Sequence, residues 1–157
     1  MNVGVDVSPL VQTGAGTARH VRGLLGALEN RPGLVLTPLR FGGRSRVASI
    51  RRDAWWYPFG LGRAARGLDL LHCTTFRAPR RPRCPLVVTV HDLGLLRHPD
   101  VFPAWHRRSG QIALRAGVRA ADAIVAVSAF TSSELTELLA EPADRIRVEP
   151  NGVDPIF

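Results

Sequence analysis

Short apolar runs alternate along this chain with longer segments of helical periodicity, and this alternation restricts the possible folds more than any other feature. The run from Leu86 to Val90 is nearly continuous and rich in valine, which is typical of a strand buried on both faces of a parallel sheet. Similar runs predict strands at residues 3–7, 34–36, 68–72, 123–127 and 146–148. Strands that alternate with helices predict an α/β fold with a doubly wound, mostly parallel sheet and helices on both faces.

The predicted helices are recognised by apolar residues spaced three and four positions apart. The first contains Ala18, Val21, Leu25 and Leu28 and ends at Pro32-Gly33. A long helix is predicted to start near Pro103. Its apolar stripe, opposite a solvated stripe rich in arginine, is formed by Trp105, Ile112, Ala113, Ala116 and Ala120.

A third helix is predicted to run from residue 128 or 131 to about Ala140. Ser128 and Thr131 both suit its N-cap, and the segment from Thr131 to Glu134 fits a capping box.

The positive charge is concentrated in one segment. The chain has 21 arginines, no lysine and 13 acidic residues, which gives a net charge of +8. Residues 40–83 contain eleven of these arginines but only Asp53 and Asp69 as acids, so this segment carries the entire excess. With Trp55, Trp56 and Tyr57 nearby, the segment also suggests an arginine-rich nucleic-acid binding module that contacts phosphates and stacks bases. That alternative explains none of the ordered motifs described below.

Length and composition are those of one globular domain. With 157 residues, 45% of them hydrophobic, the chain can bury a sizeable core. No apolar run approaches the roughly 18 residues expected of a membrane span. The first residues contain no basic segment of the kind that begins a secretory signal. Cys73 and Cys84 form no CxxC pair, and we expect a cytoplasmic protein.

Three polar features follow predicted strands, where ligands bind in doubly wound sheets. They are the glycine loop of Gly14, Gly16 and Thr17, the pair His91-Asp92, and Ser128. Glycines before a helix let a phosphate approach the backbone, and a histidine at a strand end can transfer protons. Each feature also has a purely structural interpretation. The glycine loop could be a plain tight turn, His91 could hydrogen-bond to loop carbonyls, and Ser128 could be a helix cap.

Other binding and catalytic motifs are excluded by spacing. Arg19 stands where the dinucleotide fingerprint requires Gly or Ala, and no Gly-Lys-Ser/Thr marks a P-loop. Ser128 lies in no Gly-x-Ser-x-Gly elbow, so nothing marks it as a nucleophile. The five histidines lie too far apart to predict a metal site, and we expect His72 to have a structural role.

Four motifs follow one another along the chain: the start from Asp6 to Arg19, the run from Val88 to Leu93, the segment from Ala121 to Thr131, and the segment from Arg145 to Asp154. In this order they resemble the N-terminal half of a family 4 glycosyltransferase. The resemblance covers essentially the whole chain.

The resemblance implies one half of a GT-B enzyme, in which two Rossmann-like domains face each other across a cleft. Such an enzyme transfers a sugar from a nucleotide-sugar donor with retention of configuration and without a metal. Residues 1–150 would form the N-terminal, acceptor-binding domain, and residues 151–157 would begin the interdomain linker. We therefore expect this chain to be inactive without a donor-binding domain, whether it is part of a longer enzyme or a partner subunit of a split glycosyltransferase.

The resemblance also implies roles for particular residues. Gly14, Gly16 and Thr17 match the loop that approaches the donor diphosphate, although many relatives have adjacent glycines there. His91 matches the histidine near the transferred sugar, and Asp92 the neighbour that shapes its loop. The remaining matches are a cleft-facing serine at Ser128 and the linker turn at Asn151 and Gly152.

The basic segment is expected to contact the acceptor side of the reaction. Family members often use lipid-linked acceptors, so Arg51, Arg52, Arg80 and Arg81 are predicted to form a basic surface that docks on an anionic membrane. The alternatives are a partly disordered loop whose aromatic residues pack inward, and a site for an anionic acceptor.

Overall fold

Six parallel strands form one sheet in this protein. The structure, a computed structural model, describes residues 1–152. The strands are β1 (Asn2–Asp6), β2 (Val35–Leu39), β3 (Leu70–Cys73), β4 (Leu86–Val90), β5 (Ala123–Ala126) and β6 (Ile146–Val148). Their order is β2-β1-β3-β4-β5-β6, and every neighbouring pair is parallel. This confirms the predicted Rossmann-like α/β fold.

Helices connect the strands. They are α1 (Pro9–Gln12), α2 (Gly16–Leu28), α3 (Arg46–Arg51), α4 (Leu61–Ala64), α5 (Gly94–Arg97), α6 (Ala104–Ala120) and α7 (Ala129–Leu139). A π-helical segment, Arg52–Gly60, joins α3 to α4, and single 3₁₀ turns lie at Pro99–Val101 and Ala143–Arg145. None of the helices within residues 1–152 has both the length and the apolar character needed to cross a membrane.

The strand order creates a switch point beside β1. The chain passes from β1 to β2 on one side and then returns to place β3 on the other side. In open parallel sheets the connections diverge at such a point, and a crevice opens beyond the carboxyl ends of the two strands. The carboxyl ends of β1, β3 and β4 therefore define where a ligand site is expected.

Two clusters of buried apolar side chains hold the layers together. The smaller cluster joins β1, through Val3, Val5 and Val7, to Val21 of α2. The larger one joins the central strands to α6, α7 and the π-helical segment, and it includes Leu71, Val88, Leu114, Ile124 and Leu135. Burial of such side chains contributes roughly 25 cal/mol per Å² of apolar surface, which makes these clusters the main source of stability.

The predicted apolar stripe of the long helix is wrong. Trp105 and Ile112 of α6 are 73% and 57% exposed. The buried face consists instead of Gly110, Leu114, Gly117 and Val118. The reason is close packing, since a Cβ built on Gly117 would lie 1.9 Å from the carbonyl oxygen of Phe76. Only a glycine face lets α6 approach the loop that follows β3.

Much of the basic segment is helical, through α3, the π-helical segment and α4. The alternative of a partly disordered loop is therefore wrong for this part. Ser45 caps α3 by accepting a hydrogen bond from the amide of Ala48 at 3.1 Å. The aromatic residues that follow divide between two environments. Trp56 and Tyr57 are buried, whereas Trp55 and Phe59 are 49% and 51% exposed. The expected inward packing therefore holds for only part of the aromatic patch.

Candidate active site

The ends of β1 and β3 are tied together by buried polar side chains. Asp6, the last residue of β1, accepts hydrogen bonds from the amide and hydroxyl of Ser8 at 3.1 and 2.6 Å. The hydroxyl of Thr74, just beyond β3, donates to the backbone oxygen of Asp6 at 2.7 Å. The other carboxyl oxygen of Asp6 is buried and has no partner among residues 1–152. Burial raises the pKa of Asp6, against the lowering effect of the Ser8 bonds.

His91 is held at the end of β4 through its ring and its backbone. Its Nε2 donates to the carbonyl oxygen of Thr74 at 3.0 Å, because that oxygen can only accept. The hydroxyl of Thr131 donates to the backbone oxygen of His91 at 3.3 Å. With the proton on Nε2, the Nδ1 of a neutral ring can accept a hydrogen bond or a proton from a ligand.

Asp92 shapes the turn after His91. Its Oδ1 accepts a hydrogen bond from the amide of Gly94 at 2.9 Å, an arrangement that starts α5. Its side chain is exposed, as expected for a carboxylate at the edge of a crevice.

Ser128 is the N-cap of α7. Its hydroxyl accepts from the amide of Thr131 at 3.0 Å and lies 3.0 Å from the Thr131 hydroxyl. The predicted capping box beginning at Thr131 is wrong. Thr131 instead joins the cap to His91, and the buried Glu134 pairs with Nε of Arg97 at 2.8 Å. The start of α7 is thus linked to the His91 backbone by two hydroxyl groups.

The glycine loop is open to solvent at the start of α2. Gly14 and Gly16 are exposed, and a Cβ built on either would meet no atom within 4 Å. Neither has a positive φ, so the glycines are not needed for a left-handed turn. The helix has Ala15 at its N-cap without a side-chain bond, and the amides of Gly16 and Thr17 have no intrahelical acceptor. Such amides at a helix N-terminus favour an anion.

His20 is a site residue that sequence reasoning missed. Its ring packs against that of His91 with centroids 4.9 Å apart. Its Nδ1 donates to Oδ1 of Asn151 at 3.0 Å, which brings the predicted linker turn to the site. Burial, followed by the neighbouring His91, lowers the pKa of His20. The spacing of Gly16 and His20, four residues apart on one helix, was the signal available in the sequence.

The remaining positions singled out in the sequence are His72, Gly152 and the rest of the predicted linker. His72 lies next to this group, with Nε2 2.8 Å from the hydroxyl of Thr89, and burial lowers its pKa to about 4. This contact agrees with a structural role. Gly152 is exposed, with no atom within 4 Å of a Cβ built on it. Residues 153–157 of the predicted linker lie outside the described residues.

The predicted basic surface is only partly correct. Arg51, Arg80 and Arg81 are exposed, but Arg52 is only 8% exposed and lies 3.1 Å from Asp53. The same carboxylate pairs with Arg77, whose Nη1 lies 3.3 Å from Oδ2 of Asp53. Asp53, the one acid of the π-helical segment, therefore compensates the charge of both arginines. Arg52 is therefore a buried ion-pair partner and does not belong to a docking surface.

A basic groove lies on the outer side of the same segment. It has a volume of about 510 Å³ and contains four arginines together with exposed aromatic side chains. Within residues 1–152 its lining includes no carboxylate. The lining residues are Trp55, Pro58, Phe59, Gly62, Arg63, Arg80, Arg81 and Arg83.

The site therefore combines a solvent-exposed loop with free backbone amides and a held histidine at one edge of the sheet. Within the described part of the chain, no group of three His, Cys, Asp or Glu side chains could hold a metal ion. Its chemical resources are backbone amides, hydroxyl groups and the imidazole of His91. Such a set can bind a phosphorylated ligand and place a proton acceptor beside it.

The fold defines a Rossmann-like domain, with the candidate site at the carboxyl ends of its strands. The model of Glycosyltransferase Family 4 matches residues 14–157. The chain belongs to glycosyltransferase family 4, and its sheet has the architecture of the N-terminal domain of a GT-B enzyme. A comparison with curated proteins gives no match.

Proposed function

We propose that this chain is the acceptor-binding half of a glycosyltransferase that takes its sugar from a nucleotide-sugar donor and retains the configuration. The observation that carries the proposal is the convergence of the glycine loop, His91 and Ser128 on one edge of the sheet. Membership of the family supports sugar transfer in general. The donor nucleotide is bound mainly by a second domain, which either follows in a longer chain or belongs to a partner subunit.

Each group at the edge has a distinct role in this proposal. The free amides of Gly16 and Thr17 approach the donor diphosphate when the two domains close. The imidazole of His91 contacts the transferred sugar, and Asp92 and Ser128 hold the two loops that frame it. The donor phosphate accepts the acceptor proton, so the reaction requires neither a protein nucleophile nor a metal.

The first experiment replaces His91 in the protein together with its donor-binding half. His91→Ala is expected to lower kcat by roughly 100-fold, about 2.7 kcal/mol, because one positioned polar group is lost from the transition state. The melting temperature should change little. The exposed His98 provides a matched control, and His98→Ala should retain activity. Loss of stability with an unchanged kcat would show that His91 serves the fold alone.

The second experiment asks what the chain does alone. The isolated 157 residues should melt cooperatively by circular dichroism and transfer no sugar from any of several nucleotide donors. Addition of a donor-binding domain, encoded in the same or an adjacent reading frame, should restore turnover. Robust turnover by the isolated chain would overturn the assignment of this chain as one half of the enzyme.

The glycine loop is tested by Gly16→Val. The open space around Gly16 means that the added side chain leaves the fold unchanged but fills the approach to the helix amides. Calorimetry on the two-domain protein should show weaker nucleotide-sugar binding. Gly26→Val, also in open space on α2, is the matched control. Equal affinity in both variants would remove the loop from the donor site.

The basic groove favours a second part of the function, contact with an anionic membrane. Only Arg52 and Arg77 of the basic segment form ion pairs within residues 1–152. Within that part of the chain, the charges of its other arginines are not compensated by a nearby acid and are available to an anionic partner. Val47 and Ile50 of α3 are exposed on the same helical segment as Trp55 and Phe59. Apolar side chains flanked by arginine are typical of a surface that lies in the headgroup region. Each arginine near such a surface contributes about 1 kcal/mol.

Co-sedimentation with vesicles tests the membrane contact. Binding should require anionic lipid and fall steeply with salt, because the attraction extends only about 8 Å at physiological ionic strength. Replacing Arg63, Arg80, Arg81 and Arg83 with glutamine should abolish it. The control replaces three exposed arginines outside the basic segment: Arg19, Arg22 and Arg31. Equal binding to neutral vesicles, or tight binding of single-stranded RNA alone, would overturn the membrane assignment.

A further inference from the structure

His20 joins three segments that the sequence motifs placed separately at the site. It lies one helical turn after Gly16 on α2, so it shares a helix face with the start of the glycine loop. Its ring meets that of His91 edge to face, with the two planes at 89°. Its Nδ1 bonds to Asn151, which is 131 positions away in sequence. One side chain of the helix that follows the glycine loop therefore contacts both the site histidine and the predicted linker turn.

We propose that His20 is a positioning residue, which holds the imidazole of His91 in one orientation and ties that orientation to the chain at Asn151, just after β6. This inference rests on the proposed function, because the reaction concerned is sugar transfer beside His91. His20 contributes through His91 and does not itself contact the reacting atoms.

Two contacts are needed to fix the plane of the His91 ring. The hydrogen bond from its Nε2 to Thr74 holds one atom, about which the ring can still pivot. The perpendicular ring of His20, with centroids 4.9 Å apart, restricts that pivot because rotation of the His91 ring would disturb a favoured edge-to-face contact. Together the two contacts hold Nδ1 of His91 in one direction.

The charge state of His20 suits this role. Burial, followed by the neighbouring His91, lowers the pKa of His20, which favours its neutral form. Its proton lies on Nδ1, committed to Asn151, and its Nε2 is buried without a partner among the described residues. His72, the third imidazole of the group, has a pKa lowered to about 4. The lowered pKa values of both partly buried rings disfavour a positive charge beside His91.

The bond to Asn151 connects this pair to the point where the chain leaves the sheet. After β6 the amide of Glu149 donates to the carbonyl of Ala126 at 2.9 Å, which fixes the chain two residues before Asn151. A movement of the chain at Asn151 would stretch or break the bond to His20. In this proposal, the position of Asn151 therefore affects the ring that packs on His91.

The direct test uses imidazole ¹⁵N and ¹H spectra of the 157-residue chain. Wild-type His91 should show the tautomer with its proton on Nε2. His20→Ala should shift the His91 signals, and His20→Phe, which keeps a ring edge, should largely restore them. Asn151→Ala should shift the His20 signals strongly and those of His91 less. The signals of His106, on α6, are the internal control, and Arg22→Ala is the matched variant on α2. Unchanged His91 signals in folded His20→Ala would overturn the proposal.

Kinetics of the protein with its donor-binding half separate this inference from the proposed function. His20→Ala should lower kcat about tenfold, with the KM of the donor changed by less than about twofold, since misplacement affects the transition state more than binding. His20→Phe should recover most of kcat. Absence of transfer in the wild type would refute the proposed function while leaving the spectroscopic result intact. Normal kcat in His20→Ala, in an active wild-type background, would refute the positioning role alone.

Discussion

The carboxyl edge of the sheet and the basic groove are built on opposite principles, although both contain polar residues from the same loop. At the edge, His91, Thr74, Ser128 and Thr131 are each held by hydrogen bonds of 2.7 to 3.3 Å. In the groove, Arg63, Arg80, Arg81 and Arg83 have no ion-pair partner among residues 1–152.

The difference implies two modes of recognition for the ligands that we propose. Directional bonds hold the edge in one geometry before a ligand arrives, which is what a transition state requires. Uncompensated charge beside exposed aromatic side chains specifies no geometry, and it attracts any anionic surface in a salt-dependent way. The loop of residues 74–85 joins them, with Thr74 at one end and the arginines near the other.

The largest expected effect concerns the helix face that supports this shared loop. Gly117→Ala places a methyl group against the carbonyl of Phe76, where a Cβ would lie at 1.9 Å, and overpacking should destabilise the fold by about 3 kcal/mol. Gly23→Ala, in open space on α2, should instead stabilise it by up to about 1 kcal/mol. Chemical denaturation measures both. Equal stability of the two variants would mean that α6 can move away, and that the edge and the groove are not coupled through it.

The next effect is a pH dependence of stability that originates at the carboxyl edge and not in the groove. Burial lowers the pKa of His72 from 6.5 in the unfolded chain to about 4 in the folded protein. Between these two pH values the unfolded chain binds a proton at His72 and the folded protein does not. The free energy of unfolding should fall as the pH drops through this window, by up to about 1.4 kcal/mol per unit. The raised pKa of Asp6 acts in the opposite direction, because its folded form takes up a proton more readily.

The measurement is therefore a difference between variants. His72→Gln should flatten the decline of stability below pH 6.5, whereas His98→Gln, at an exposed histidine, should leave the slope as in the wild type. Parallel stability curves for wild type and His72→Gln would show that this imidazole titrates freely and that the edge is not closed to water.

A smaller effect tests the hydroxyl pair that links α7 to His91. Ser128→Ala removes the N-cap acceptor and should cost about 1 kcal/mol of stability. Ser133→Ala is the matched change within the same helix, where the serine is exposed and bonds only to the preceding turn at Ala129. It should be close to neutral. A Ser128→Ala protein as stable as Ser133→Ala would show that Thr131 holds the start of the helix without the cap.

The smallest effect is expected in the groove. Arg81→Gln and Arg83→Gln, alone or together, should change the free energy of unfolding by less than about 0.5 kcal/mol, because their charges have no partner to lose. Arg52→Gln provides the contrast, since its guanidinium is buried beside Asp53 and its loss should be clearly destabilising. Thermal melts of the three variants compare them directly. A large loss of stability in Arg81→Gln would make the groove part of the folded framework.

The sequence predicted the parts of this protein that depend on local pattern. Valine-rich runs with polar residues after them identified β4, β5 and the positions of His91 and Ser128, because a strand buried on both faces requires an apolar composition. Capping involves residues only three positions apart, so the sequence narrowed the N-cap of α7 to Ser128 or Thr131, and the structure shows that it is Ser128. The family motifs, which consist of the same runs in order, led to the correct family.

Other features failed because they depend on partners distant in sequence. The buried face of α6 is marked by Gly110 and Gly117, and a hydrophobicity pattern gives little weight to glycine. The exposed Trp105 made the opposite face look like the core. Arg52 resembles the neighbouring arginines in sequence, and only the packing of the π-helical segment against the core shows that its side chain is buried, at 8% exposed.

The sequence by itself determined the alternation of strands and helices, the parallel sheet, and the polar residues at its carboxyl edge. The tertiary structure alone decided which of those residues meet. His20 contacts His91 and Asn151 only because the switch beside β1 brings α2, the end of β4 and the chain after β6 to one place. Periodicity reports the burial of a residue relative to its own helix or strand, whereas a contact across 131 positions depends on how those elements pack.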